Sequence, residues 1–460
     1  MPWAIALLTG SLFAFASSRM AARDSDLFWH LATGRLLFSR GIVGIDQFSW
    51  TIANAPVATD QWLGQALWYG AYLVDGWSGI VVLRSLAVFA LVALVVHEAI
   101  VRRPAHPIVG LLASLPAILI GRFIWIERPE LFGFVCFAAL LPLLRRAREG
   151  SGRAAIVIIP LLIVWANVHG SFALGVGLTL LVAIEGALRD RARLRAYIAI
   201  AIGALVACVA TPAGLLTLAT PGFHLLHPPR EIQEWAVPDP ASAPGIFWAI
   251  ALALTLATAI TARAPRVTDA LVLVPVALLS LTAARHMPLL AIACAPYLAD
   301  RAPDALALLL RRPPVASPRH ARRTPPFVGA IGIAIAAVIL GVSAVTAPRE
   351  PDLGGFPTGA LAALPRGAGL LNNYDWGGWL IWYAPDTPVF IDGRLVPYID
   401  SVLPDYRAVL GLHQDWRDVI ARRRVRALLV RPRDAVVVRA RELGWRVRAE
   451  GPEFVLIEVP

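Results

Sequence analysis

Lysine is missing from this chain; all 42 basic side chains are arginine. Cysteine is nearly missing, and Cys136, Cys208 and Cys294 each fall inside an apolar run. That placement excludes a disulfide framework or a thiolate metal site in any outer domain. Charge is scarce at 16%, against roughly a quarter in soluble globular proteins. No glycine-rich phosphate loop occurs: GLLNNYDWGG is not GxGxxG and nothing resembles GxxxxGK[ST], so nucleotide binding has no motif behind it. What fills the chain instead is apolar, with 58% hydrophobic residues and a mean hydropathy of +0.65 over 460 residues. An integral membrane protein is the reading that fits.

Apolar runs that cross or nearly cross a bilayer stand at 2–18, 79–101, 107–121, 131–144, 154–168, 172–188, 196–211, 246–262, 267–283, 287–299 and 327–347. They predict a polytopic α-helical protein of about eleven transmembrane helices. Taking alternate loops as one side, residues 102–106, 145–153, 189–195, 263–266 and 300–326 hold 18 arginines against 4 acids. Positive loops stay in the cytoplasm, so the net charge of +11 is a topology signal and argues against a nucleic-acid partner. The N-terminus is then inside, while the loop 19–78, the loop 212–245 and everything after 348 lie outside. The first run lacks a basic leader, and the small residues Ala16, Ser17 and Ser18 also fit a cleaved signal peptide.

Two domains are expected: a multi-helical membrane domain over 1–347, which includes the long first outer loop 19–78, and an extracytoplasmic domain over 348–460. Apolar residues in the first loop recur at helical spacing (Leu27, Leu31, Leu36, Leu37; Trp62, Leu63, Leu67, Trp68), which predicts two amphipathic helices. Trp29, Trp50, Trp62, Trp68 and Trp77 suit the headgroup level. The stretch RRPPVASPRHARRTPP, 311–326, reads as a cytoplasmic linker. In the tail, β-like runs (GLLNN, PVFID, RALLV, FVLIEV) alternate with helical patterns (YRAVLGL, WRDVIARRR, AVVVRAREL), which predicts a small α/β domain.

Ionisable groups at membrane depth are costly and count as functional candidates. On the outer side they gather: Asp24, Asp26 and His30 follow the first run; Arg122, Glu127 and Arg128 lie in GRFIWIERPE; Asn167 and His169 lie in WANVHGSF; Arg285 and His286 lie in AARHMP. Taken singly, each has a bland account, such as Asp24 capping the helix that starts near Leu27. Taken together they are harder to dismiss, because no comparable set of acids and histidines stands in the cytoplasmic turns. The chemistry suggested is a carboxylate that activates a hydroxyl while arginine and histidine cations hold a phosphate. A lipid-carried donor would present that phosphate at this depth.

With Asp24-Ser25-Asp26 following the first helix and opening a long amphipathic loop, the chain resembles the GT-C superfamily of membrane glycosyltransferases, in particular the RgtA/B/C/D-like and dolichyl-phosphate-mannose-mannosyltransferase-like proteins. The resemblance covers 1–347. It implies hexosyl or pentosyl transfer from a polyprenyl-phosphate-linked sugar to a glycan, lipid or protein acceptor at the outer face of the bacterial cytoplasmic membrane. Asp24 or Asp26 would be the catalytic carboxylate, with inversion at the sugar carbon. His30, Arg122, Arg128, Asn167, His169, Arg285 and His286 would bind substrate and phosphate. Some members of the superfamily use a divalent cation; if this chain does, Asp24 and Asp26 are its ligands.

In the tail, Asp375, Trp376, Asp392 and Arg394 could bind a glycan through hydroxyl contacts and ring stacking, although turn chemistry and packing account better for the same cluster. Glu234 and Trp235, in HLLHPPREIQEW, are lesser glycan-binding candidates. Two other functions fit the composition: a non-catalytic membrane scaffold whose outer domain binds a partner, and a lipid or glycan transport protein, for which broken helices in repeated halves are expected.

Overall fold

Hydrophobic runs broken by short polar turns leave the backbone no way to satisfy its amides in a bilayer except helix, and helix dominates the computed structural model, which describes residues 2–104, 106–226, 232–261, 265–311 and 326–460. In chain order the helices are α1 (Pro2–Ser18), α2 (Ser25–Arg40), α3 (Trp62–Arg102), α4 (Pro107–Ile124), α5 (Pro129–Arg148), α6 (Gly152–Val168), α7 (Phe172–Arg189), α8 (Leu194–Val209) and α9 (Ala219–Leu226). There follow α10 (Ala243–Thr261), α11 (Val267–Ser280), α12 (Met287–Leu309), α13 (Pro326–Val345), α14 (Gly377–Tyr383), α15 (Leu403–Leu410), α16 (Trp416–Arg423) and α17 (Ala435–Glu442). Four strands complete the chain: β1 (Leu370–Asn372), β2 (Ala427–Val430), β3 (Val447–Glu450) and β4 (Val455–Glu458).

Contacts divide the chain into two units, Met1–Met20 with Val81–Pro348 and Ala21–Ile80 with Arg349–Pro460. This differs from the partition expected at residue 347, because the first outer loop joins the tail. Inside α3, before the boundary at Ile80, Asp75 and Gly76 leave the helical region, and Gly76 takes φ +55°, which a residue with a Cβ adopts only under strain.

The first unit is a helical body in which α1 packs on α13, α4 and α10 on α12, α5 on α6, and α7 on α8. Prolines 116, 142, 160, 275 and 296 sit inside its helices, a use that neighbouring helices make tolerable in a membrane. Among the described residues four helical stretches are long and apolar enough to cross a bilayer (Trp62–Arg102, Phe172–Arg189, Arg191–Val209 and Ala243–Thr261), and six apolar helices are shorter. The protein is therefore multi-pass, while length and composition do not establish eleven spans. The expected linker at 311–326 falls almost wholly outside the described residues.

The second unit is built on a four-stranded sheet of order β1-β2-β4-β3, with β1 and β2 parallel and the other pairs antiparallel. Leu370, Leu371, Leu428, Leu429, Leu456 and Ile457 are fully buried in it. Three of the β-like runs become β1, β2 and β4. The fourth, PVFID, does not become a strand of the sheet: it lies beside the first outer loop, where Val389 donates its amide to Phe48 O at 3.0 Å and Trp50 donates to Val389 O at 3.1 Å. One face of α2, carrying Phe28, Trp29 and Ala32, packs into the same core as Trp376, Trp379 and Leu380. Gly378 allows the approach, since a Cβ there would stand 2.5 Å from Ser25 O. Trp29 is consequently buried in this core, Trp68 is buried too, and Trp50 donates its Nε1 to Leu370 O at 3.1 Å. The headgroup placement expected for these three gives way to packing.

Candidate functional site

Arg128 and Arg285 of the first unit do not stand alone. Arg128 is held just before α5, whose entry is set by Pro129, and Arg285 sits in the short turn before α12, set by Pro288. Arg285 donates from Nε and Nη2 to Glu130 Oε1 at 3.2 and 2.9 Å, and from Nη1 to Glu234 Oε1 at 3.3 Å. Arg128 Nη1 donates to the other oxygen of Glu234 at 3.0 Å. One carboxylate thus bridges two guanidinium groups. Trp235 lies under Arg285, with Cζ 4.6 Å from the ring centroid, and His286 meets the Trp235 ring edge-on at 5.9 Å. Burial, and next the Arg285 charge, push His286 down to about 4.

Beside this cluster, His169 ends α6, and its Nδ1 accepts the Ser171 amide at 3.2 Å and lies 2.8 Å from Ser171 Oγ. Asn167 is committed locally: its Nδ2 donates to Ile163 O and Ala210 O, both at 2.8 Å, which ties the ends of α6 and α8. Arg122 is exposed in the last turn of α4. Glu127 and Arg84 form a buried ion pair, and Arg84 also donates to Ser17 Oγ and Ser17 O at 3.1 and 2.6 Å and to Met20 O, so it closes the carbonyl end of α1. Neither Glu130 nor this use of Arg84 was found from sequence. The proximity of Glu130 to Arg128 in ERPE was the available signal.

Asp24, Asp26 and His30 belong to the second unit. Asp24 is the N-cap of α2 and accepts the Asp26 amide at 2.9 Å. Asp26 lies so close to Gly393 that a Cβ there would be 1.9 Å from its Oδ1. His30 is buried against Trp29, with Nδ1 3.5 Å from Gln65 Nε2. Among the described residues no group of three or more His, Cys, Asp or Glu side chains gathers around a metal-sized position.

The tail candidates separate by burial. Trp376 is buried and donates Nε1 to Gly355 O at 2.9 Å, while Asp375 is exposed and pairs with Arg431. Asp392 and Arg394 form a cluster in which Arg394 donates to Asp392 from Nε at 2.7 Å and to Tyr398 Oη at 2.8 Å, and its Nη1 forms an ion pair with Asp46 Oδ1 at 2.5 Å. Tyr398 Oη donates to Asp392 at 2.6 Å. Burial acts to lower Arg394, but Asp392, Tyr398 and Asp46 together outweigh it and hold the guanidinium above its ordinary range. Burial and then Asp392 raise Tyr398 as well. These are packing contacts within the unit.

A correction concerns the other ends of the helices. Glu98, within α3, accepts from Arg102 at 3.1 Å and from Arg145 at 2.7 Å, Arg102 reaches Asp269 at 2.8 Å, and Arg148 reaches Glu185 at 2.6 Å. A comparable set of charges therefore does exist beside the arginine-rich turns. It was missed because its acids lie within helices rather than in the turns.

No protein-family model and no curated protein sequence matches the chain. Solved structures do. ArnT from Cupriavidus metallidurans bound to undecaprenyl phosphate superposes with a TM-score of 0.57 at 15% identity, over 99% of this chain and 97% of that one. The Archaeoglobus fulgidus oligosaccharyltransferase tethered with an acceptor peptide gives 0.53 at 10% identity, over 92% of this chain and 69% of that one. At such identities the likeness is one of fold: the chain shares the fold of these two membrane enzymes.

Proposed function

We propose that the protein transfers a sugar from a polyprenyl-phosphate-linked donor to an acceptor on the outer face of the bacterial cytoplasmic membrane. The observation that carries this reading is the half-buried pair Arg128 and Arg285, aimed at one shared anion in a chain of GT-C-like fold. Guanidinium groups in a partly dehydrated site suit a phosphate whose charge grows as it leaves the sugar. The undecaprenyl phosphate bound in the ArnT structure supports a polyprenyl phosphate as the carrier. In the reaction the acceptor hydroxyl bonds to the anomeric carbon and the bond to phosphate breaks. Its electron pair leaves with the polyprenyl phosphate, and the hydroxyl proton passes to a carboxylate. Asp24 or Asp26 takes that role by the family resemblance. The arginine bias supports a cytoplasmic N-terminus and an outer C-terminal domain.

The test is donor binding by lipid-reconstituted protein across a panel of polyprenyl-phosphate hexoses and pentoses. Binding that weakens in Arg285→Ala supports the reading. No binding by the wild type to any donor removes it and returns the protein to the scaffold class.

A further inference from the structure

A carboxylate that sends one oxygen to each of two arginines occupies the place a phosphate would take. Glu234 does this at 3.0 Å from Arg128 and 3.3 Å from Arg285, and it is the more exposed of the two acids at the site, 35% against 14% for Glu130. Glu130 is anchored in the first turn of α5 and receives two bonds from Arg285, whereas Glu234 stands on the three-residue turn Gln233–Trp235. The charges of these four side chains cancel. With Glu234 turned out to solvent they leave one positive charge, the complement of one phosphodiester anion.

We infer that Glu234 is an internal stand-in for the donor phosphate: it holds Arg128 and Arg285 in register for an anion and is displaced when a phosphodiester binds. This rests on the proposed donor class and adds a residue that sets affinity by competition. Arginine forks accept carboxylate and phosphate in the same bidentate geometry, so exchange needs only a side-chain rotation of Glu234. One uncompensated arginine charge in this half-buried site would be costly in the free protein, which gives the stand-in its second purpose.

The experiment measures binding of undecaprenyl-phosphate-linked hexoses and pentoses, each a phosphodiester, to the full-length protein in nanodiscs, for wild type, Glu234→Gln, Glu234→Asp and Arg285→Ala. Glu234→Gln removes the competing charge and is expected to bind about tenfold more tightly, the equivalent of one competing charge-assisted contact. Glu234→Asp, too short to reach both guanidinium groups, is expected to lie between Glu234→Gln and wild type. Arg285→Ala is expected to bind more weakly than wild type. If wild type binds and both Glu234 variants bind equally or more weakly while their unliganded thermal unfolding is unchanged, the stand-in is overturned and the donor reading survives. If Glu234→Gln does not fold, the comparison of Glu234→Asp with wild type decides by the same criterion. If wild type does not bind the lipid, both ideas fall.

Discussion

Two arginine clusters in this molecule look alike in sequence and differ in what their surroundings permit. In the second unit, Arg394 meets Asp46, Asp392 and Tyr398, and both carboxylates are fully enclosed. In the first unit, Arg128 and Arg285 share Glu234, a carboxylate still open to solvent. The first arrangement spends donors on enclosed neighbours. The second holds an anion that can be exchanged. Buried pairs of the closed kind serve packing, and their loss is felt as instability because a lone charge is left inside; pairs of the open kind are where binding is to be sought.

The sharpest break in that comparison is Arg394→Ala. It leaves Asp46 and Asp392 enclosed without a counter-charge, and unfolding of the second unit, followed by the near-ultraviolet signal of its tryptophans, should move by about 3–5 kcal/mol. Arg285→Ala should leave that transition in place and weaken lipid-phosphate binding by about 10- to 100-fold; equal damage to both readouts would erase the distinction between the clusters.

Asp60 supplies a third environment, a carboxyl in the second unit that burial pushes from its ordinary 3.8 up to about 6. The folded state therefore holds its proton more tightly than the unfolded chain. The favourable contribution is fully present below pH 3.8, declines as pH rises toward 6 and is gone above it. The slope over that window should total about 3 kcal/mol and be missing in Asp60→Asn, as read by denaturant titration at a series of pH values. A profile unchanged by the substitution would show that Asp60 is not the titrating group.

The smallest effect distinguishes cap from catalyst at Asp24. Asp24→Asn keeps an oxygen for the Asp26 amide, so its stability should stay near that of wild type, whereas Asp24→Ala should lose about 0.5–2 kcal/mol. If Asp24→Asn also abolishes sugar transfer, the carboxylate's charge is needed by the reaction; if transfer persists, Asp24 is a cap and Asp26 inherits the role.

Much of this was legible from residues alone, and the reason differs from one feature to the next. The helix after Asp24 announces itself by its N-cap and by Leu27, Leu31 and Leu36 at helical spacing. The α/β tail announces itself through GLLNN, RALLV and FVLIEV, which become β1, β2 and β4. The cluster at Arg128 and Arg285 could be suspected because charged residues near a membrane are rare enough to stand out. PVFID misled because a buried extended segment has the same composition as a strand, and only its partner, the first outer loop, shows that it lies outside the sheet. The tryptophans of that loop misled for the same reason: an aromatic ring suits a lipid headgroup and a protein core equally well, and composition cannot choose between them.

Sequence by itself determined that the chain is a multi-pass helical protein and that its tail is a separate kind of structure. These properties depend on local periodicity and on the cost of placing charge in lipid, both of which act on near neighbours. Tertiary structure alone decided that residues 21–80 fold with 349–460, that Asp46 closes around Arg394, and that Glu234 bridges Arg128 and Arg285. Those pairings join residues far apart in the chain. Their energies come from burial and charge that exist only once distant segments have met.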